Sequence, residues 1–392
     1  MKSCRHEGHS LEDCLLSGQL ALEALHLAQG RSFFGSGTCP ATTFAAWLDR
    51  VPSLPPFPLC VRREMNLIDA EVQGLGAWPA CQVLASVLAA TGAPLGCAVL
   101  DVGANIGACT VPLALNGHVV LAFEPLADSA IMLEASLRLN SIPAVSVADV
   151  KLAMAEKASS AGERRPPQNG DGLPLRVGGG SVALRRTALW DVPGRGVAVE
   201  GRHNAGMTPV RPPGFEGAGC NDSSFDCGGA AAVAVERLDD LLGDSEGALC
   251  LAKVDVEGAE LGVLRGAVAL LRARAVKALV LEWWPPNLVN FGEDPLALPS
   301  LLHEMRYEVY APVEWLLETP RRLVWSERVS RSTDAPKRWI HVAPDRFPWL
   351  LDHWGDILAL PADLRGEPMT RVEASTDGEG GGAYMPGRKS GL

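Results

Sequence analysis

The 392-residue chain lacks several patterns that would place it in a common functional class. It has no excess of positive charge, since its formal net charge is −11. A dedicated nucleic-acid binder needs a basic face, so we expect no nucleic-acid partner. The sequence also has no Gly-Lys-Ser/Thr motif, which excludes a phosphate-binding P-loop.

The ten cysteines include no Cys-x-x-Cys pair. In a chain of this length, scattered cysteines predict reduced thiols in a cytosol-like compartment, and therefore a cytoplasmic location. Cys4, His6, His9 and Cys14 lie close together, but their spacing matches no standard zinc finger. We predict no metal site.

The chain also has no long unbroken apolar run. Its longest uncharged stretch lies between Glu71 and Asp101 and is interrupted by Pro79, Gly92 and Pro94. This pattern favours a helix followed by a buried strand over a membrane span. The first seven residues are not apolar, and we expect no secretory leader.

A glycine-rich turn after a short apolar run is the most informative motif. The run Ala98–Leu100 ends at Asp101, and Gly103, Asn105 and Gly107 follow. A glycine lets the backbone approach a ligand closely, and Asn105 could cap the next helix so that free N–H groups face the ligand. The spacing differs from Gly-x-Gly-x-x-Gly, which disfavours a nicotinamide oxidoreductase.

A second buried strand, Val119–Phe123, is followed by Glu124 and Pro125. An acidic residue about 20 positions after the glycine turn can accept hydrogen bonds from ribose hydroxyls. The turn and Glu124 together predict a nucleoside-cofactor site. The alternation of strands and helices predicts a doubly wound α/β sheet.

Four segments resemble motifs of FkbM-type S-adenosylmethionine-dependent methyltransferases. They are Asp101–Gly107, Ala122–Pro125, Arg237–Leu242 and the hallmark Ala252–Ala267. The resemblance runs from about Met65 to about Pro344. It implies a Rossmann-like class I methyltransferase sheet of seven strands with a reversed last hairpin. It also implies S-adenosyl-L-methionine as cofactor and a small hydroxyl acceptor such as a sugar or a polyketide.

The predicted cofactor site joins the glycine turn, the end of the second strand and one position suggested by the resemblance. Glu156 falls where the family places its adenine-contacting loop, although an acid at this position departs from the family in detail. The predicted cofactor-binding residues are Asp101, Gly103, Ala104, Asn105, Gly107, Glu124, Pro125 and Glu156.

Methyl transfer to a hydroxyl needs a base that removes the acceptor proton. Asp255, predicted at the end of the strand Ala248–Val254, is the first candidate. Asp255 could instead bind a metal or orient the cofactor. Glu257 could be the base or could interact with the next helix terminus. His203, in a long loop, is a third candidate. A catalytically silent scaffold that keeps the fold is the alternative to an enzyme.

Composition along the chain predicts three regions. We expect an N-terminal extension over residues 1–60, partly helical or disordered, and a methyltransferase domain over residues 61–345. This domain carries an insertion at 157–230, expected to be mobile apart from short strands at Val182–Leu189 and Val197–Val199. Residues 346–392 form a C-terminal segment with a disordered tail from about 366. Ala144–Val150 is predicted as the third strand.

Overall fold

The computed structural model describes residues 38–41, 43–51, 54–62, 67–159, 179–201, 210–211, 225–243, 248–316 and 339–364. Their strands are β1 (Thr43–Leu48), β2 (Phe57–Arg62), β3 (Ala98–Val102), β4 (Val119–Phe123), β5 (Ser181–Arg185), β6 (Ala188–Leu189), β7 (Gly194–Gly201), β8 (Val210–Arg211), β9 (Phe225–Glu236), β10 (Leu249–Val254), β11 (Leu279–Trp283), β12 (Tyr307–Pro312), β13 (Trp339–Val342) and β14 (Gly355–Pro361).

Their α-helices are α1 (Leu67–Leu75), α2 (Pro79–Ala90), α3 (Thr110–Leu115), α4 (Ala127–Leu139), α5 (Val147–Ser159), α6 (Leu238–Leu242), α7 (Glu260–Arg265), α8 (Val268–Arg272), α9 (Pro285–Asn290) and α10 (Ala297–Glu304). Val313–Leu316 and Pro344–Asp352 form 3₁₀ helices.

The largest sheet has eight strands in the order β13-β12-β14-β11-β10-β3-β4-β5. Strands β5, β4, β3, β10 and β11 are parallel, whereas β14 is antiparallel to both β11 and β12. This is a mixed α/β architecture with a Rossmann-like parallel core. The eight strands differ from the expected seven because β13 adds an antiparallel edge next to β12.

Strand β3 is the point at which the strand order changes direction. From β3 the chain adds β4 and β5 on one side, and it later adds β10 and β11 on the other. In open α/β sheets the crevice between the carboxyl ends of the two strands at such a switch binds ligands. The fold therefore places the glycine turn after β3 beside Asp255, which follows β10.

Apolar side chains alternate between the two faces of the parallel strands. Val99 and Val120 pack with residues of α2, α3 and α4 on one face. Leu100 and Leu121 pack with residues of α5, α7 and α10 on the other. All four side chains are almost fully buried. Parallel strands covered by helices on both faces are expected to be continuously apolar. This holds for β4, and β3 departs from it only at Asp101.

The helix after the glycine turn begins later than predicted. Asn105 does not cap it: α3 begins at Thr110, and Cys109 occupies the N-cap position. Asn105 has a φ of +49° and belongs to the preceding turn. Pro112 lies inside this six-residue helix, in agreement with the short helix expected around a proline.

The prediction of a third strand at Ala144–Val150 was wrong. Ala144 forms only an isolated bridge with Val182, and the chain then enters α5. Ser146 Oγ accepts a hydrogen bond from the Asp149 N–H, and Asp149 Oδ2 accepts one from the Ser146 N–H. This reciprocal cap starts a helix. The third parallel strand is β5, about 35 residues further along the chain.

Residues near the predicted domain boundaries take part in regular structure. The hairpin β1–β2 contacts α4, and β14, within the predicted C-terminal segment, lies inside the main sheet. Strands β6, β7, β8 and β9 form a separate four-stranded sheet, in which only β9 extends past the predicted end of the insertion at residue 230. Residues 160–178, 202–209, 212–224 and 365–392 lie outside the described residues, as do residues 1–37.

The prediction of reduced thiols was wrong for six cysteines. The structure pairs Cys39 with Cys60, Cys81 with Cys109, and Cys97 with Cys250 as disulfides. Disulfides persist mainly in oxidising compartments. The cysteine argument for a cytoplasmic location therefore loses its basis.

No helix in the described part of the chain has both the length and the apolar character needed to cross a membrane. Within the stretch between Glu71 and Asp101, the structure places α2, which has twelve residues, and the start of β3.

Candidate functional site

A cavity of ≈ 300 Å³ lies at the carboxyl ends of β3, β4, β10 and β11. Its position is the switch point of the sheet. The lining is mostly apolar, but it carries four carboxylates and one lysine. The charged residues that line it are Glu124, Lys253, Asp255, Glu257 and Glu282.

The turn after β3 forms one wall of the cavity. Gly103, Ala104 and Asn105 line it, as do Glu124 and Pro125 after β4. The N–H groups of Gly103 and Ala104 donate to the carbonyl of the last residue of β4, at 3.0 Å each. These bonds fix the turn between the two strand ends.

Asp101 and Gly107 lie behind this wall rather than on it. Asp101 is fully buried, and its Oδ2 accepts a 2.6 Å hydrogen bond from Thr110 Oγ1. Gly107 has a φ of +92°, and a Cβ there would collide with Leu133 of α4. In this structure both residues shape the turn and do not face the cavity.

The turn approaches the end of β10 so closely that only glycine fits at position 103. Gly103 has a φ of +81°, and a Cβ there would overlap the carbonyl oxygen of Asp255. Gly92 also has a positive φ, +64°, but no atom lies within 4 Å of the position of its Cβ. Comparing substitutions at Gly103 and Gly92 therefore separates the free-energy cost of a left-handed backbone from that of a steric collision.

We expect Gly103→Ala to destabilise the fold more than Gly92→Ala. The left-handed backbone alone costs about 1–2 kcal/mol in an L-residue, and overpacking adds about 1–3 kcal/mol at position 103. Urea unfolding of both variants measures the difference. Equal losses of stability in the two variants would mean that the turn and the end of β10 can move apart without a cost in free energy.

Glu124 is buried at the end of β4 and holds two backbone segments. Its Oε2 accepts a hydrogen bond from the Asn105 N–H and its Oε1 accepts one from the Leu126 N–H, both at 2.8 Å. Burial raises its pKa to about 7, although these two hydrogen bonds oppose the shift. Each carboxylate oxygen can accept a further bond, so Glu124 remains able to bind ligand hydroxyls.

Lys253 connects the two halves of the crevice. Its Nζ lies 3.4 Å from Asp101 Oδ1, 3.3 Å from Asp255 Oδ2 and 3.0 Å from the Gly103 carbonyl oxygen. Burial lowers its pKa, but Asp255 and Asp101 outweigh that effect and hold the pKa above its ordinary value. Lys253 is therefore a permanent cation whose three N–H donors all have acceptors nearby.

Three carboxylates gather at the opposite end of the cavity. Asp255 follows β10, Glu257 lies two residues further on, and Glu282 belongs to β11. One carboxylate oxygen from each lies within 4.8 Å of the others. They meet because β10 and β11 are neighbouring parallel strands whose carboxyl ends reach the same edge.

A tight turn presents Glu257 to the cavity. Glu257 has a φ of +59°, a conformation that costs energy in a non-glycine residue. Glu260 stabilises the turn, since its Oε1 accepts hydrogen bonds from the N–H groups of Val256 and Gly258 at 3.0 and 3.1 Å. Burial raises the pKa of Glu260 to about 7.

The side chains of two predicted site residues lie outside the part of the chain that the structure describes. Glu156 belongs to α5, so its backbone is helical rather than part of a loop, and its side chain lies outside the described residues. His203 also lies outside the described residues. Their assignments stay predictions.

Sequence reasoning gave Lys253 no role. It places Glu282 at the carboxyl end of a strand that borders the ligand pocket, but it does not name Glu282 as a catalytic or cofactor-binding residue. Lys253 is the only charged residue in the otherwise apolar run Ala248–Val254. A lone charge in a buried strand needs a partner, and that signal was present in the sequence. Trp78 and Trp284 also line the cavity, and the ring of Trp284 stacks on that of Trp354.

The mixed sheet and the cavity at its switch point define an α/β protein with a Rossmann-like methyltransferase fold. The family model described as the methyltransferase FkbM domain matches residues 101–309, which is more than half of the chain. The chain therefore belongs to the FkbM methyltransferase family. A comparison with curated proteins finds no match.

Proposed function

We propose that the protein transfers a methyl group from S-adenosyl-L-methionine to a hydroxyl of a small molecule such as a sugar or a polyketide. The observation that supports this proposal is that the two ends of the cavity differ in chemistry. One end has the glycine turn and Glu124, and the other has a cluster of carboxylates. The family supports methyl transfer, and the oxygen acceptor rests on the resemblance described above.

The first end suits a nucleoside. Gly103, Ala104 and Asn105 leave backbone close to the cavity, and Glu124 can accept hydrogen bonds from both ribose hydroxyls. Pro125 adds an apolar edge. We assign these five residues to cofactor contact, and Asp101 and Gly107 to support of the turn.

The second end suits a cationic methyl donor and an acceptor that must lose a proton. Acidic lining residues outnumber Lys253, the one cation among the described lining residues, and attract the positive sulfonium. Methyl transfer is an in-line displacement with a good leaving group, so positioning supplies much of the catalysis. Asp255 and Glu257 are the described candidates for the base that takes the hydroxyl proton.

The test uses the purified full chain. Calorimetric titration with S-adenosylmethionine should show one site, and incubation with methyl-labelled cofactor and a panel of sugars and polyketides should yield labelled product and S-adenosylhomocysteine. Absence of cofactor binding would overturn the proposal. Tight binding without turnover on the panel or on metabolite extracts would support the silent scaffold instead.

A further inference from the structure

The proposed reaction assigns no role to Glu282, whose carboxyl group is partly buried. Glu282 lines the cavity from β11. Its Oε2 is buried and has no hydrogen-bond partner among the described residues. Glu257, its neighbour in the cavity, differs in this respect, because Asn287 Nδ2 donates a 3.2 Å hydrogen bond to Glu257 Oε2.

The charges that face Glu257 are mostly negative. Asp255 and Glu260 repel its charged form, and Lys253 attracts it. However, Lys253 already lies against Asp101 and Asp255. Lys253 therefore stabilises the ionised form of Glu257 only in part.

The largest electrostatic effects on Glu282 come from negative charges. These charges are those of Glu257, Asp255, Glu260 and Asp356, the last of which lies opposite Glu282 in the pairing of β11 with β14. Two ionised carboxylates close together in a partly buried site repel each other strongly, and such groups titrate as a pair.

We propose that Glu257 and Glu282 hold one proton between them at neutral pH, with Glu282 as the neutral member. Glu282 then acts as a positioning residue: by staying neutral it keeps Glu257 ionised and able to accept a proton. This inference rests on the proposed function for its chemistry, but not for the protonation itself.

The hydrogen bonds decide which member is neutral. A buried carboxylate oxygen without a donor is costly when charged and much less costly when neutral. Glu282 Oε2 is in that position. The amide of Asn287 favours the charged form of Glu257. Glu282 therefore binds the proton more tightly than Glu257 does.

The chemistry balances with this assignment. The acceptor hydroxyl gives its proton to the Glu257 carboxylate while its oxygen forms a bond to the methyl carbon. The carbon–sulfur bond breaks, and its electron pair stays on sulfur, which becomes a neutral thioether. The proton on Glu257 leaves to solvent after product release, and the proton on Glu282 is not consumed.

The protonation makes stability depend on pH in a defined direction. Burial and the surrounding carboxylates raise the pKa of Glu257 and that of Glu282 well above the ordinary value. The native state then binds more protons than the unfolded state, so the stabilising effect is full below the unfolded pKa of ~4.3. It is lost as pH rises through the folded pKa values.

Urea unfolding of the full chain between pH 5 and 8.5 tests the pair without any need for turnover. In the wild type, the pair should make the unfolding constant rise with pH by about one log unit per pH unit. Glu282→Gln alone should remove this contribution, and adding Glu257→Gln should remove little more. Glu134→Gln, on α4 and paired with Arg186, is the matched control and should leave the slope unchanged.

The pH profile of methyl transfer gives the second readout. The active form of the pair holds one proton, so a plot of the wild-type rate against pH should be bell-shaped. In Glu282→Gln the fall of the rate at alkaline pH should disappear, because glutamine cannot ionise. An unchanged unfolding slope in Glu282→Gln would overturn the proposal. Loss of the pair's entire contribution in Glu257→Gln alone would also overturn it, since Glu257 would then be the neutral member; the raised pKa values of Glu124 and Glu260 add a slope that all variants share.

Two further outcomes are distinguishable. If millimolar Mg²⁺ stabilises the wild type but not Glu282→Gln, the carboxylates bind a cation in place of the proton, and the proposal is wrong. If no acceptor is methylated, the proposed function fails, while the unfolding slopes still decide whether Glu257 and Glu282 share a proton.

Discussion

Glu257→Gln is expected to lower the turnover number by 10²–10⁴-fold, the usual loss when a general base is removed. The side chain keeps its shape and its contact with Asn287, but it can no longer take the acceptor proton. Cofactor affinity should change by no more than a few-fold, because Glu257 lies at the end of the cavity away from Glu124. Single-turnover rates and calorimetric affinity, measured on the same preparation, separate the two effects.

Asp255→Asn is the matched comparison, since sequence reasoning alone ranks Asp255 first. In the structure Asp255 is engaged by Lys253, whose Nζ lies 3.3 Å from Oδ2. Asparagine would break this ion pair and disturb the contact with the glycine turn, so we expect moderate losses in both affinity and rate. A larger loss of rate in Asp255→Asn than in Glu257→Gln, with affinity unchanged, would assign the base to Asp255.

The sequence predicted the parts of the site that depend on local signals. Strands β3, β4 and β10 are largely apolar, with an acidic residue at or just after the end of each, and their predicted bounds are close to the observed ones. A buried parallel strand leaves such a signature because both of its faces are covered. The side chains at the strand ends, Glu124 and Asp255, could therefore be assigned to one crevice before the structure was known.

Other features depend on contacts between distant segments. Lys253 binds Asp101 only because β10 lies beside β3, and these residues are 152 positions apart in the chain. The same neighbourhood brings Cys97 to Cys250. Strand β14 also escaped prediction, since nothing local shows that Ile357–Leu360 pairs between β11 and β12.

Glu124→Gln is expected to weaken S-adenosylmethionine binding by about 1.5–3 kcal/mol, the value of a hydrogen bond to a charged group. Glutamine keeps one carbonyl oxygen for a backbone N–H, but it loses the negative charge that strengthens the bonds from the ribose hydroxyls. Calorimetric titration measures the change. Glu134→Gln serves again as the control, because that residue lies outside the cavity lining.

The pH dependence makes the Glu124 prediction sharper. Because burial raises the pKa of Glu124 to about 7, its carboxylate is largely protonated at pH 6 and largely ionised at pH 8 in the free protein. Wild-type affinity should therefore rise with pH over this range, by no more than tenfold per pH unit, since one proton is released on binding. The affinity of Glu124→Gln should stay flat. A flat wild-type curve, or equal affinities at pH 8, would remove Glu124 from the cofactor site and leave the ribose hydroxyls to other acceptors of the glycine turn.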